Sequence, residues 1–292
     1  MHPLPMRIFD LACGPPPPLM NFLERFLLTT LGISIETGVR YFLFAGVAWL
    51  LAYLLFRRRW QHRKINPRPP LGADVRRELA YSILTLLIFG AVGALTVLAR
   101  KAGYTQMYFR IEKFGWPWFF ASIVLTIFLH DAYFYWTHRL MHHPRLFRFF
   151  HRAHHLSTNP TPWAAYAFDP LEAVVQAGIF PLAVFVMPVH PLAFFVFMVW
   201  QITFNVAGHT GYEFHRRWLV DSTLGRFLNT PTNHVLHHEH FRGNYGLYFT
   251  LWDRLAGTYH ERSDARFLEV TSRPSPTRAN EVKMEKELLT RA

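Results

Sequence analysis

Only one cysteine, Cys13, occurs among the 292 residues, which excludes an intramolecular disulfide and any metal site built on thiolates. Charge is scarce as well. Asp, Glu, Lys and Arg make up 17% of the chain against 51% hydrophobic residues, a balance that excludes disorder and points to a membrane. Acidic residues are the scarcer sign, 19 against 31 Lys and Arg, for a formal net charge of +12. Such an excess suits either nucleic acid or anionic lipid headgroups, and the long apolar runs select lipid, with no nucleic acid partner expected. Glycine-rich phosphate loops, internal repeats and any segment shaped like a haem, flavin or nicotinamide domain are missing too. With thiolates excluded, metal binding falls to histidine. Of the 17 histidines, 11 lie in residues 130–155 and 234–240.

The length leaves one large domain or two smaller ones open. Met1 to Pro18 has neither a basic start nor an unbroken apolar stretch, so no secretory peptide is expected. Leu19 to Ile35 carries Glu24 and Arg25 among apolar residues and reads as an interfacial helix. Spans are expected over Val39–Phe56, Leu79–Ala99 and Trp116–Trp136, with Arg57, Arg58, Arg59, Arg63, Lys64, Arg68, Arg76 and Arg77 forming a cytoplasmic loop. Continued to His142, the third helix measures about 40 Å against a hydrocarbon core of about 30 Å, so His138 and His142 emerge below the bilayer. Pro170 to Met187 either crosses or forms one arm of a re-entrant hairpin, given Pro181 and the short turn Pro188–Pro191. Leu192 to Ala207 then returns to His209. The expected fold is an all-α polytopic membrane helical bundle of about four to five spanning or re-entrant helices with a cytoplasmic histidine-rich helical cap. Residues 1–115 would hold the interfacial helix and first two spans, 116–262 the catalytic domain, and 263–292 a polar, solvated tail.

His138 and His142 in HRLMH are four apart, so on a helix both rings reach one metal. His151, His154 and His155 in HRAHH add a triple at i, i+3 and i+4, and His234, His237 and His238 in HVLHH repeat it. His209, returned to the same side by the last span, makes nine. Neutral imidazole suits iron, zinc, copper or nickel, and nine nitrogens exceed what one ion uses, so two ions are expected. Matched carboxylates of the soluble di-iron bundles are missing. Something must still orient the rings. Asp131 is the first candidate because a carboxylate within a span is costly unless paired or functional; Asp169 and Glu172 follow. Asn205 shares a helical face with His209 and either holds a water on a metal or makes a packing hydrogen bond. His143 and His240 flank the boxes, and His130 lies within the third span. His2, His62, His190, His215 and His260 read as ordinary surface or core histidines. A rival class, a histidine-rich metal transporter or metal-binding membrane protein without redox chemistry, calls for ligands along a mid-bilayer path. Here all nine lie beyond helix ends on one side.

HDAYFYWTHRLMHH, FHRAHH, HTGYE, NHVLHHEHFRGNYG and WDRLAGTY follow in that order between residues 130 and 259. This series resembles the fatty acid hydroxylase superfamily, which includes sterol desaturases, sterol methyl oxidases and alkylglycerol monooxygenases. The resemblance covers Trp116 to Tyr259. It places metal ligands on the nine boxed histidines, matches Asn244, Tyr245 and Gly246 to the family's NYG and Trp252, Asp253 and Arg254 to its WDR, and names no catalytic residue beyond the ligands. Many relatives carry His where this chain has Asp169. The implied activity is a membrane-bound di-iron, O2-dependent oxidoreductase that hydroxylates or desaturates a C–H bond of a sterol, fatty acyl or related lipid. Two Fe2+ ions would be the cofactors and O2 the cosubstrate, with zinc able to substitute silently for iron. Electrons would come from a separate ferredoxin or cytochrome with its reductase. Arginine outnumbers lysine 26 to 5, which favours a bacterial inner membrane with the metal site cytoplasmic, or the endoplasmic reticulum in a eukaryote.

Overall fold

The computed structural model describes residues 20–276. Expectations for Met1 to Pro18, including Cys13, and for the tail past residue 276 lie outside the described residues. Within them the chain is almost entirely helical, with no strand and only two isolated bridges, Lys64–Tyr212 and Leu228–Phe249.

Helix α1, Phe22–Trp49, begins at a capping box: Asn21 Oδ1 accepts from Glu24 N, and Glu24 Oε2 accepts from Asn21 N, both at 2.9 Å. It runs on through a π-helical turn, Leu50–Leu55, to make one 34-residue rod, about 51 Å long. A separate interfacial helix over Leu19–Ile35 is therefore a wrong division of the chain. The polar residues that suggested it serve the start of this helix: Glu24 closes the capping box and Arg25 Nε donates to Met20 O at 3.1 Å. Helix α2, Gly72–Lys101, packs antiparallel on α1. Gly90 permits the approach: a Cβ there would lie 2.1 Å from Ser34 Oγ, and Ser34 Oγ donates to Leu86 O at 3.1 Å.

Helix α3, Gly115–Met141, returns the chain and is followed by the short α4, Pro144–Phe150, and one-turn α5, Arg152–His155. Next come α6, Pro170–Ala177, and α7, Ile179–Val186, broken at Gly178, where a Cβ would meet the Tyr133 hydroxyl at 2.5 Å. Pro181 sits in the first turn of α7, where its missing N–H costs nothing. The α6–α7 rod reaches the far end of α3, since Trp118 Nε1 donates to Pro188 O at 2.9 Å and Gln106 N to Val184 O at 2.8 Å. Helix α8, Pro191–His209, comes back. Beyond it lie α9, Pro231–His240, α10, Leu251–Leu255, and α11, Ser263–Ser272.

Four rods are long and apolar enough to cross a bilayer: α1 with its extension, α2, α3 and α8. Leu43, Leu87, Phe128 and Phe195 on them are exposed, whereas Ser34, Thr85, Ser122 and Thr126 are buried. Apolar outside and small polar inside is the pattern of helices packed in lipid, and the chain is an integral membrane protein. The arginine-rich connector after α1 docks at the end where α3 and α8 finish: Ile65 N donates to Gly211 O and Glu213 N to Arg63 O, each at 2.9 Å. Arg273 Nη1 of the segment after α11 closes over it, donating to Lys64 O at 2.6 Å.

Candidate metal centre

All nine boxed histidines converge at that end, in two groups. His138, His142, His151, His155 and His237 form one, and His154, His209, His234 and His238 the other; within each, one nitrogen per ring lies within 4.8 Å of all the rest. Helical geometry does the sorting. Residues at i and i+4 are 40° apart around a helix, those at i and i+3 are 60° apart in the other direction. So His138 with His142, and His151 with His155, face the five-histidine group, while His154 turns to the other. On α9 the pair His234 and His238 enters the four-histidine group and His237 the five. Pro231 at the first position of α9 and Thr230 Oγ1, which accepts from Asn233 N at 3.3 Å, fix where that helix starts.

The ring nitrogens meet at close range. Nε2 to Nε2 distances are 2.9 Å for His138–His151, 3.1 Å for His142–His237 and 3.0 Å for His155–His237. In the second group they are 3.3 Å for His154–His209, 2.9 Å for His209–His234 and 3.2 Å for His234–His238. Around a metal with bonds of about 2.1 Å, nitrogens separated by 90° to 109° lie about 3.0 to 3.4 Å apart. The far nitrogen shows why a cation would suit this place. His154 Nδ1 meets Ala167 O at 3.4 Å and His209 Nδ1 meets Asn205 O at 2.7 Å. A carbonyl only accepts, so each Nδ1 carries the proton and, in a neutral ring, each Nε2 carries a lone pair. At 3.3 Å those lone pairs face each other, a repulsive contact unless a cation lies between. His138 and His237 repeat the pattern, donating from Nδ1 to Tyr245 O at 2.8 Å and Gly243 O at 2.7 Å. Burial, and then the neighbouring rings, hold His151, His154, His155, His234, His237 and His238 well below the ordinary imidazole range. They are neutral, as metal ligation requires.

Residues beyond the nine work mostly through the backbone. Asp131 Oδ1 accepts from Tyr248 N at 3.1 Å and Phe249 N at 3.2 Å, holding the loop that supplies the Tyr245 carbonyl rather than touching a histidine. The Asp253 carboxylate ties the same loop, taking Tyr245 N at 2.9 Å, Gly246 N at 2.8 Å and Thr258 Oγ1 at 2.8 Å. Asn244, at φ 52°, donates to Asn233 O at 3.0 Å and Ser263 Oγ at 2.9 Å. Asp169 Oδ2 accepts from Ala153 N at 2.6 Å and so anchors the backbone between His151 and His154. The amide of Asn205 donates to Ala165 O at 2.7 Å, which is the packing alternative; its service to His209 comes through the carbonyl. Glu172, fully buried, brings Oε1 to 2.8 Å from His151 Nδ1.

Flanking histidines stay out of the groups. His143 Nδ1 caps α4, His240 stacks on His260 at 4.9 Å, and His130 Nδ1 meets the Tyr248 hydroxyl at 2.8 Å. Sequence reasoning missed Gly243, Tyr245 and Ala167 as acceptors for ligand rings, and Glu213, whose buried carboxylate accepts from Thr232 N at 3.1 Å and Thr232 Oγ1 at 2.7 Å. Of these, Gly243, Tyr245 and Glu213 lie within the motif series that carried the resemblance, whereas Ala167 lies outside it.

A family described as fatty acid hydroxylase matches residues 123–258. A Delta(7)-sterol 5(6)-desaturase of Gibberella zeae is 34% identical over 219 residues, 75% of this chain and 65% of its own length. A Delta(7)-sterol 5(6)-desaturase of Aspergillus fumigatus is 30% identical over 239 residues, 75% of this chain and 71% of its own. The lathosterol oxidase of Mus musculus is 29% identical over 243 residues, covering 82% of this chain and 78% of itself. The chain thus spans just under two thirds of the first of these relatives. No solved structure gives a significant match.

Proposed function

This chain belongs to the fatty acid hydroxylase family, and from that premise we propose that it is a di-iron oxidoreductase that uses O2 to oxidise a C–H bond of a membrane lipid, Δ7-sterols being the first class to test. One observation carries the reading: buried imidazoles whose protonated Nδ1 atoms point outward and whose Nε2 lone pairs converge on two centres. Held there, two ferrous ions would supply the redox chemistry by which O2, two electrons and two protons turn a C–H bond into an alcohol with one water, or a CH–CH unit into an alkene with two. The chain's own residues do the rest. Main-chain carbonyls of Tyr245, Gly243, Ala167 and Asn205 fix the tautomer and plane of His138, His237, His154 and His209, so each ring presents its lone pair without reorganising. Glu172 brings its carboxyl to 2.8 Å from His151 Nδ1, and burial pushes that carboxyl well above the ordinary carboxylate range. Burial of the cluster excludes bulk water, which would otherwise intercept the oxidant.

The relatives act on sterols by their names, which supports a sterol here, and the two desaturases among them favour the alkene over the alcohol. Electrons would come from a separate ferredoxin or cytochrome with its reductase. A metal-transport function has less support, because the nine ligands gather at one end of the helices rather than along a path between them. The test is reconstitution in lipid nanodiscs with ferrous iron, O2, an electron donor system and lathosterol, read by mass spectrometry. An oxidised sterol is expected with iron and none with zinc, which has no accessible redox change. Product formed anaerobically, or equally well with zinc, would overturn the proposal.

A further inference from the structure

A cavity of about 140 Å³ lies against the four-histidine group. His209 and His234 form its inner wall, Pro231 and Leu247 its side, and Thr203, Phe204 and Ala207 of α8 its mouth. None of the five-histidine group lines it. Thr203 is exposed on a membrane-spanning helix, six residues or about 9 Å of helix rise before His209. Thr203 thus sets part of the lining on the membrane-spanning face of α8. Gly208 lines the cavity too, with a Cβ position 3.5 Å from the His234 ring.

Size and chemistry narrow the occupant. A dry cavity of about 150 Å³ holds one benzene, so this one holds a single six-membered ring and not the length of an acyl chain. Several of its polar groups are already engaged: Asn229 Nδ2 donates to Gly246 O at 2.6 Å, Thr230 Oγ1 accepts from Asn233 N, and His215, which also lines it, holds Nδ1 3.1 Å from Glu213 Oε1. We propose, resting on the oxidoreductase reading above, that this cavity seats one ring of a polycyclic lipid entering sideways from the bilayer between α8 and residues 229–231, and presents that ring's C–H bond to the four-histidine group.

Photolabelling tests the seat independently of turnover. Iron-loaded protein in nanodiscs would be irradiated with a Δ7-sterol carrying a diazirine on its ring system, and in parallel with palmitate carrying one at mid-chain. The sterol should label peptides containing Thr203, Phe204 or Leu247, and unlabelled lathosterol should compete it away. Ala207→Phe, which fills the mouth, should cut that labelling at least tenfold with iron content and thermal midpoint unchanged; Thr203→Trp repeats the block from the exposed side without crowding the interior. Sterol labelling that is equal in the wild type and both variants, or confined to other helices, would overturn the seat. Labelling of the same peptides by palmitate in place of the sterol would overturn the assignment to a ring. A wild-type protein that labels here but never turns over would leave the seat standing and overturn the oxidoreductase reading instead.

Discussion

Asp253 shows how much of the proposed centre is held by a residue that touches no imidazole. Its carboxylate fixes Tyr245 and Gly246, and Tyr245 lends its carbonyl to His138. Asp253→Asn keeps one acceptor oxygen and puts an N–H donor against another, which should cost about 3 kcal/mol for a buried charge-assisted pair of bonds. A lower thermal midpoint in detergent, together with reduced bound metal, is expected; an unchanged midpoint would show that the loop holds itself. The nine histidines were legible because metal ligation needs particular side chains at particular spacings. The acceptors behind them were not, because a carbonyl belongs to every residue and leaves no mark in the sequence. Asn205 illustrates the difference: its position on the face of His209 was readable, but the group that acts is its main chain.

At the scale of elements, α5 and α9 each feed both groups, so the two proposed ions share the same short helices. His155→Ala should therefore remove one metal equivalent from the five-histidine group, and His154→Ala one from the four-histidine group, each leaving the other ion at least partly bound. Metal analysis per chain checks this; retention of both ions in either variant would exclude that residue as a ligand. Long apolar runs made α2, α3 and α8 readable, although α2 begins at Gly72, well before the expected Leu79. They misled at α1, because Glu24 and Arg25 resemble an interface when read one at a time. Capping of the first turn by Glu24 and the bond from Arg25 to Met20 O are relations between residues, and they let the helix run on. For α6 and α7 the sequence left a crossing and a hairpin equally open, and only the contacts of Pro188 and Val184 with the far end of α3 decide the depth reached.

For the molecule as a whole, the arginine-rich connector and the histidines share one end, and the positive-inside rule predicts a cytoplasmic location for it. Cysteine scarcity makes this easy to check. In a Cys13→Ser background, Tyr104→Cys, 73% exposed in the loop between α2 and α3, should react with a membrane-impermeant maleimide in intact cells, whereas Arg242→Cys should react only after lysis. The reverse pattern would invert the topology. The division of ligands between early and late parts of the chain has a further consequence, for the timing of biosynthesis. Each group waits for α9, since the five-histidine set lacks His237 and the four-histidine set lacks His234 and His238 until the ribosome has passed residue 238. Every spanning helix has been made by then. Neither proposed metal site can therefore be complete before every spanning helix has been synthesised, so a nascent protein stalled earlier would hold no complete centre.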